Sequence, residues 1–383
     1  MDCVFFEGIR CFYSRQEVPL APLTVLVGEN STGKSTALAL IRVAWDLVHG
    51  KDPNFNEEPF LLGAYDQIAS ALGQITRWPA FTIGWDLGIG TVIGHFIAHR
   101  GQPFLKDRTS EIPPFYARDD NDPEDEDGGG VETGLVVREG PSLADFPSPA
   151  DEFARHTRRL ATRPYAFAPI RTRPLRTYDP IKGAVSPEGD HVPLVLASSA
   201  RSEDWKALAA ALESFGQHSG LFTGVDVRQL GASESDPFQI QVHIGGKPVN
   251  LIDVGYGVSQ VLPIIVDCLR GEEGGTYLLQ QPEVHLHPRA QAELGSFLGV
   301  LAKQQNKRFV IETHSDYLVD RIRMDIRDKK GITPDDVALL YFERKNGEAT
   351  IHRLELDDQG NIVNAPPGYR RFFLEEERRF LGG

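Results

Sequence analysis

Residues 23–36 read "LTVLVGENSTGKST". An apolar run ends in a loop with Gly28 and Gly33 at its two ends, and Lys34, Ser35 and Thr36 open the next segment. No other stretch constrains the fold as strongly, because it requires a strand, a sharp bend and a helix in immediate succession. The loop fits G-x-x-x-x-G-K-[ST] with Gly28, Gly33, Lys34 and Ser35. Glycines let the backbone turn so that successive N–H groups, Asn30 and Ser31 among the residues carrying them, face inward on a phosphate. The helix starting near Gly33 adds its positive end. Lys34 supplies a point charge to the phosphates, and the Ser35 hydroxyl suits Mg²⁺. Leu38, Ile41, Trp45 and Val48 recur at helical spacing, and "HGKDPN" ends the pattern. The expected fold is therefore α/β with a phosphate-binding loop, and the expected ligands are ATP and Mg²⁺. The loop alone does not choose among kinases, GTPases and motor ATPases.

Around this core the sequence predicts strands over 2–13 and 23–28, a sheet with tight turns over 78–100, and a helix over 201–217 capped by Ser202. "FQIQVHIGGKPVNLIDV" reads as a hairpin, and a helix starts near 257. "TYLLQ" and "RFVIET" read as buried parallel strands separated by a helix. A last hairpin turns at Asn346-Gly347. The expected divisions are 1–100, an insertion at 101–150 rich in proline, glycine and acid, a mixed lobe at 151–250, and 251–383.

With 40 basic against 54 acidic residues the formal charge is −14, so nucleic acid would need a local basic face. Residues 155–176 offer one candidate, with seven arginines and no acid; Arg171 and Arg173 are its suggested contacts. Pairing with acids elsewhere is the equal alternative. The acidic run at 119–130 reads as a loop without chemistry. Cys3, Cys11 and Cys268 form neither a disulfide framework nor a metal spacing. No apolar run is long enough to span a bilayer, and the start does not read as a signal peptide, so the expected location is the cytoplasm.

Four stretches line up in order: "GENSTGKST", "DVGYGVSQVLPII" (253–265), "YLLQQPEVHLHPRAQAEL" (277–294) and "FVIETHSDYLVDRI" (309–322). With this set the chain resembles the ABC-type ATPase head of the OLD, RecF and SMC group, over nearly its whole length. The resemblance implies a mixed sheet with an antiparallel portion and a helical lobe. It also implies two heads packed head to tail with ATP between them. Gly255, Gly257 and Ser259 would then meet the nucleotide of the other head, with Gly255 where the group commonly has serine. His314 would be the switch histidine that hydrogen-bonds the γ-phosphate and orients water. His285 and His287 have H-x-H spacing, but no third ligand is evident; the loop is expected at the dimer interface.

In the wider group the "YLLQQ" strand ends in two acids; here Gln280 and Gln281 stand there. Gln280 is the expected contact to the Mg²⁺ shell and Gln281 the expected orienter of water, as glutamine is in Ras-type GTPases. Neither takes a proton. Glu283 is expected to be the base, and Glu312 is the poorer second candidate. Slow or partner-stimulated hydrolysis follows as the expectation. The resemblance also suggests a head without an effector of its own: the residues after His314 do not suffice for a Toprim nuclease, and no heptad run is visible. The expected partners are a second copy, a separately encoded effector such as a nuclease or toxin, and possible DNA along 155–176. Antiphage defence is the leading expectation. RecF-like repair, or a non-hydrolysing scaffold, is the alternative.

Overall fold

The computed structural model describes residues 2–70, 80–88, 90–110, 160–181, 184–370, 375, 378, 379 and 381. The chain opens with β1 (Cys3–Glu7) and β2 (Gln16–Pro19), then β3 (Leu23–Gly28) and helix α1 (Lys34–Val48). Two short strands, β4 (Asn56–Glu57) and β5 (Phe60–Leu61), precede a single turn, α2 (Tyr65–Ile68). Next come β6 (Ala80–Asp86), β7 (Thr91–His99), β8 (Gln102–Ser110) and β9 (Tyr165–Phe167). The middle of the chain forms α3 (Val192–Ser199), α4 (Trp205–Ser219), β10 (Gly224–Gln229), β11 (Phe238–Ile244) and β12 (Lys247–Asn250). It closes with α5 (Tyr256–Arg270), β13 (Thr276–Gln280), α6 (Pro288–Gln304), β14 (Arg308–Glu312), α7 (Asp316–Arg327), β15 (Val337–Lys345) and β16 (Glu348–Leu354).

A six-stranded sheet of order β16-β15-β3-β14-β13-β9 forms the centre. All of its pairings are parallel except that of the terminal hairpin β15–β16. The second sheet, β2-β1-β6-β7-β8, is antiparallel throughout. A third, β10-β11-β12, lies with α3 and α4 in the middle segment. This is the mixed sheet, antiparallel portion and helical part expected from the sequence.

The register of the central sheet sorts its two faces. Leu279, Ile311, Val25 and Leu339 form one row and face the core that holds α5 and α6. The row set by Leu278 and Val310, with Leu26 and Leu340, faces the other core, which holds α1 and the antiparallel sheet. Side chains alternate along a strand, so Gln280, Glu312 and Leu26, which align across three strands, all project toward the α1 face.

Several expectations shift. Residues 2–13 are not one strand: β1 ends at Glu7, and Arg10 takes a positive φ of 49° in the bend before β2. From Thr36 to Leu47 every side chain of helix α1 is buried, beyond the one face that the spacing marks, because the helix is packed between two sheets. Ser202 does not cap α4, whose N-cap is Asp204; its hydroxyl donates to the Ser199 carbonyl instead. The segment beginning at 101 is not all insertion, since β8 pairs with β7 as the edge of the antiparallel sheet. The rest of that segment, with the acidic run, lies outside the described residues. Segments 1–100 and 251–383 share the central sheet, because β3 sits between β14 and β15.

Candidate functional site

The loop between β3 and α1 holds its shape through two glycines. Gly28 has φ 141° and Gly33 φ 96°, conformations that disfavour a side chain. A Cβ on Gly28 would stand 2.3 Å from the Phe342 carbonyl, and one on Gly33 2.4 Å from the Phe12 ring. Gly33 is also the N-cap of α1, so free N–H groups of the first turn face the loop. Lys34 folds back into the loop and donates to the carbonyls of Gly28 (2.9 Å) and Glu29 (2.6 Å). Burial holds its ammonium below the ordinary lysine value, against the attraction of Glu312, Glu283 and Glu29.

A cavity of about 700 Å³ opens at this loop. Its walls include Asn30, Ser31, Gly33, Lys34, Ser35 and Thr36, as the motif predicts, together with Gln281 and Glu312. Arg10, Tyr13 and Arg344 also line it and were not foreseen. Arg10 donates to the Thr36 hydroxyl (3.0 Å) and the Leu62 carbonyl (3.0 Å), and Arg344 to the Ser31 carbonyl (3.1 Å). No local pattern marks these residues; only the fold brings them to the loop.

Glu312 ends β14 beside the loop. Its Oε2 accepts the Ser35 hydroxyl at 2.7 Å. Burial raises its carboxyl, opposed by the Ser35 bond and the Lys34 charge. Gln280 ends β13, one strand further out, and its Nε2 is buried without a hydrogen-bond partner. Gln281 takes a positive φ of 43° and anchors its N–H on the Glu312 carbonyl (2.8 Å). Gln281 and Glu312 therefore share one wall of the cavity, and Gln280 lies buried behind it.

Glu283 is placed differently from the expectation. It is not among the residues lining the cavity, and it is 7% exposed. Its Oε1 accepts the His314 backbone N–H (2.8 Å), and Oε2 is buried without a partner. Burial raises its carboxyl most, against the His314 bond. The geometry makes it a strut beneath the His314 turn. The imidazole of His314 is exposed. Burial of part of the ring and the Lys34 charge both lower its pKa.

Gly255 is the exposed N-cap of α5, with Tyr256 exposed beside it. Gly257 and Ser259 turn inward. A Cβ on Gly257 would meet the His285 carbonyl at 2.6 Å, and the Ser259 hydroxyl donates to the Tyr256 carbonyl (2.8 Å). The Ser259 side chain is thus bonded within its own helix. None of the three lines the cavity of its own chain. His285 packs edge-on against Tyr256 at 4.8 Å, and His287 caps α6 by accepting from Arg289 N–H. Among the described residues no group of three or more His, Cys, Asp or Glu could hold a metal ion.

Among the described arginines of this stretch, Arg171 is buried, Arg163 is half-buried, and Arg173 and Arg176 are exposed. Arg171 is 1% exposed and cannot line a nucleic-acid groove. Its guanidinium donates to the carbonyls of Gln260, Ala168, Pro169 and Pro282. Arg163 pairs with Asp46 and Glu57, and Arg176 with Asp253. Arg173 is exposed, while Arg155, Arg158 and Arg159 lie outside the described residues. Pairing with acids elsewhere therefore accounts for Arg163 and Arg176, while Arg171 is satisfied by carbonyls.

The site fits Mg²⁺-nucleotide chemistry on its own residues: a nest of N–H groups, a buried ammonium, and a hydroxyl–carboxylate pair 2.7 Å apart on one wall. No helix among the described residues is long and apolar enough to cross a membrane. No curated protein matches the chain. Solved structures of similar architecture include an SmcHead bound to the C-winged helix domain of ScpA. It has 10% identity and a TM-score of 0.47, and the match covers 92% of this chain and 98% of that one. An SMC head domain from Thermotoga maritima has 13% identity and a TM-score of 0.44, covering 92% and 98%. An Smc head domain with an extended coiled coil, bound to the C-terminal domain of ScpA derived from Pyrococcus furiosus, has 10% identity and a TM-score of 0.44, covering 99% and 100%. Residues 332–376 match a family of unknown function, DUF3696. Residues 98–320 match the family described as AAA domain, putative AbiEii toxin, Type IV TA system. The chain belongs to that family.

Proposed function

We propose that the protein binds Mg²⁺-ATP in the cavity at the Gly28–Thr36 loop and hydrolyses it, slowly or on stimulation by a partner. The observation that carries this reading is the joining of the Lys34 loop and the Ser35–Glu312 pair in one cavity. Loop N–H groups and Lys34 hold the β- and γ-phosphates. When bound, Mg²⁺ draws charge from the phosphate oxygens. Gln281 and His314 each hydrogen-bond and orient the attacking water, and Glu283 fixes the His314 turn. Glutamine in place of an acid at position 281 leaves no strong base there, which favours slow turnover. Isothermal titration of ATP into the chain, with Lys34→Ala alongside, tests binding. Equal heats in both would reject the site.

In this reading two copies close head to tail, with the exposed N-terminus of α5 from one copy on the nucleotide of the other. Support comes from the surface around Gly255. Ile170, Leu175, Ile252 and Tyr256 are exposed there, and the Arg176–Asp253 pair ties the 170–176 segment to the start of α5. The closed dimer signals to a separately encoded effector, a nuclease or toxin, in defence against phage. The family description, which refers to an AbiEii toxin and a Type IV system, supports that setting. DNA along 155–176 is the less supported element, since most of its described arginines have internal partners. The operation is cytoplasmic in this reading. Copurification of the protein of a neighbouring gene, lost in Lys34→Ala, would support effector control; a chain that never captures one would count against it.

A further inference from the structure

We infer that Glu312, on the strand next to the phosphate loop, is the carboxylate that holds the metal's water shell in this protein, in the role that Gln280 cannot fill. This rests on the nucleotide-binding reading above and specifies its metal half. A hard dication on a nucleotide keeps several waters and needs one or two carboxylates beside the phosphates. The hydroxyl of the serine after the loop lysine is its usual protein contact. Among the described residues, Glu312 is the one carboxylate that hydrogen-bonds Ser35, at 2.7 Å, and it lines the same cavity.

The sheet explains why. From the phosphate-loop strand outward the order is β3, β14, β13. Leu26, Glu312 and Gln280 are aligned across these strands and point to the α1 face. Strands lie about 4.8 Å apart, so Glu312 stands one spacing closer to Ser35 than Gln280 does. An acid at 312 and another at 280 would be adjacent on one face, and like charges directly opposite repel. An amide at 280 beside an acid at 312 removes that repulsion and leaves Glu312 as the one acid of the aligned pair. Lys34, whose charge Glu312 feels most among its charged neighbours, balances it before nucleotide enters. Glu283 is a poorer holder of the shell, because one oxygen is taken by His314 N–H and it lies off the cavity wall.

The test is the metal dependence of nucleotide affinity, which does not require turnover. A fluorescent ATP analogue is titrated into the full chain and into Glu312→Gln, Glu283→Gln and Lys34→Ala, with Mg²⁺ and with chelator. Glu312→Gln is expected to bind the analogue without metal at least as tightly as the parent, since a like charge facing the phosphates is gone. With Mg²⁺ it should lose roughly ten- to a hundredfold of the metal-induced tightening. Glu283→Gln should keep that tightening. Ser35→Ala should lose it as Glu312→Gln does, which separates a metal role from misfolding of one variant. Mn²⁺ in place of Mg²⁺, followed by electron paramagnetic resonance, should show the nucleotide-dependent bound signal in the parent and not in Glu312→Gln. Retained tightening in Glu312→Gln, or its loss in Glu283→Gln alone, would overturn the assignment. Binding by the parent no better than by Lys34→Ala would instead overturn the nucleotide reading beneath it.

Discussion

At the residue scale, two backbone positions and one buried acid decide most of the behaviour. Gly33→Ala combines φ 96° with a Cβ 2.4 Å from the Phe12 ring. Strain of this kind is worth about 1–3 kcal/mol. The variant should melt earlier and lose nucleotide binding together, as calorimetry and titration would report; unchanged affinity would contradict the loop geometry. Glu283 makes a pH prediction. Burial raises its carboxyl above the ordinary 4.5, so the folded state holds that proton more tightly than the unfolded state. The stabilisation from that proton is complete below 4.5 and is lost as pH rises through the raised folded value. Glu283→Gln never carries the charge. Its melting temperature should match the parent in acid and exceed it at neutral pH, provided the amide oxygen keeps the His314 N–H bond. A variant less stable than the parent at pH 7 would show that Oε2 has a favourable contact after all. The residues that sequence reading found here, Gly28 to Thr36, were legible because the motif is local. Arg10 and Arg344 were not, because each reaches the cavity from a turn or strand far away in the chain. Glu283 was ranked first for standing two residues past Gln281, a spacing that says nothing about where its carboxylate points; it lies off the cavity wall and Glu312 lies on it.

At the scale of elements, the buried strands and the glycine-marked hairpins could be read directly. Four- to six-residue apolar runs at 23–28, 276–280 and 308–312 became neighbours in one parallel sheet. Gly245-Gly246 and Asn346-Gly347 supplied the positive φ values that tight turns need. Strand β9 was missed, since three residues carry no period. Helix α1 showed its inward face in the sequence, but nothing local told that a second sheet covers the other. The arginines of 155–176 left two readings open for a related reason: a cation looks the same in sequence whether water or carbonyls surround it. Arg171 ties α5, through Gln260, to the loop after β13, through the Pro282 carbonyl. Arg171→Met would leave several buried carbonyls unmatched and should lower stability by about 2 kcal/mol or more in urea denaturation. A loss of DNA affinity without a loss of stability would instead favour a surface role for Arg171.

For the whole molecule, the central sheet unites both ends of the chain, and the cavity is lined by the loop after β3, the start of α1, the end of β14 and the turn after β13. The start of α5 is not on that cavity. If two heads close as proposed, mass should depend on nucleotide. Light scattering with ATP and Mg²⁺ should move the chain from 42.4 kDa toward twice that value, and Lys34→Ala should stay at the single-chain mass. A mass indifferent to nucleotide would remove the head-to-tail reading while leaving the ATP site intact. The central claim is that the Lys34 loop, with Glu312 in place of the missing acids, makes a working site. The most direct measurement is Mg²⁺-dependent phosphate release from ATP by the purified chain, with Lys34→Ala as blank and Glu312→Gln beside it. The account predicts slow release above the blank that falls to the blank in Glu312→Gln. Release that persists in Glu312→Gln, or none above the blank in the parent with a captured partner present, would contradict it.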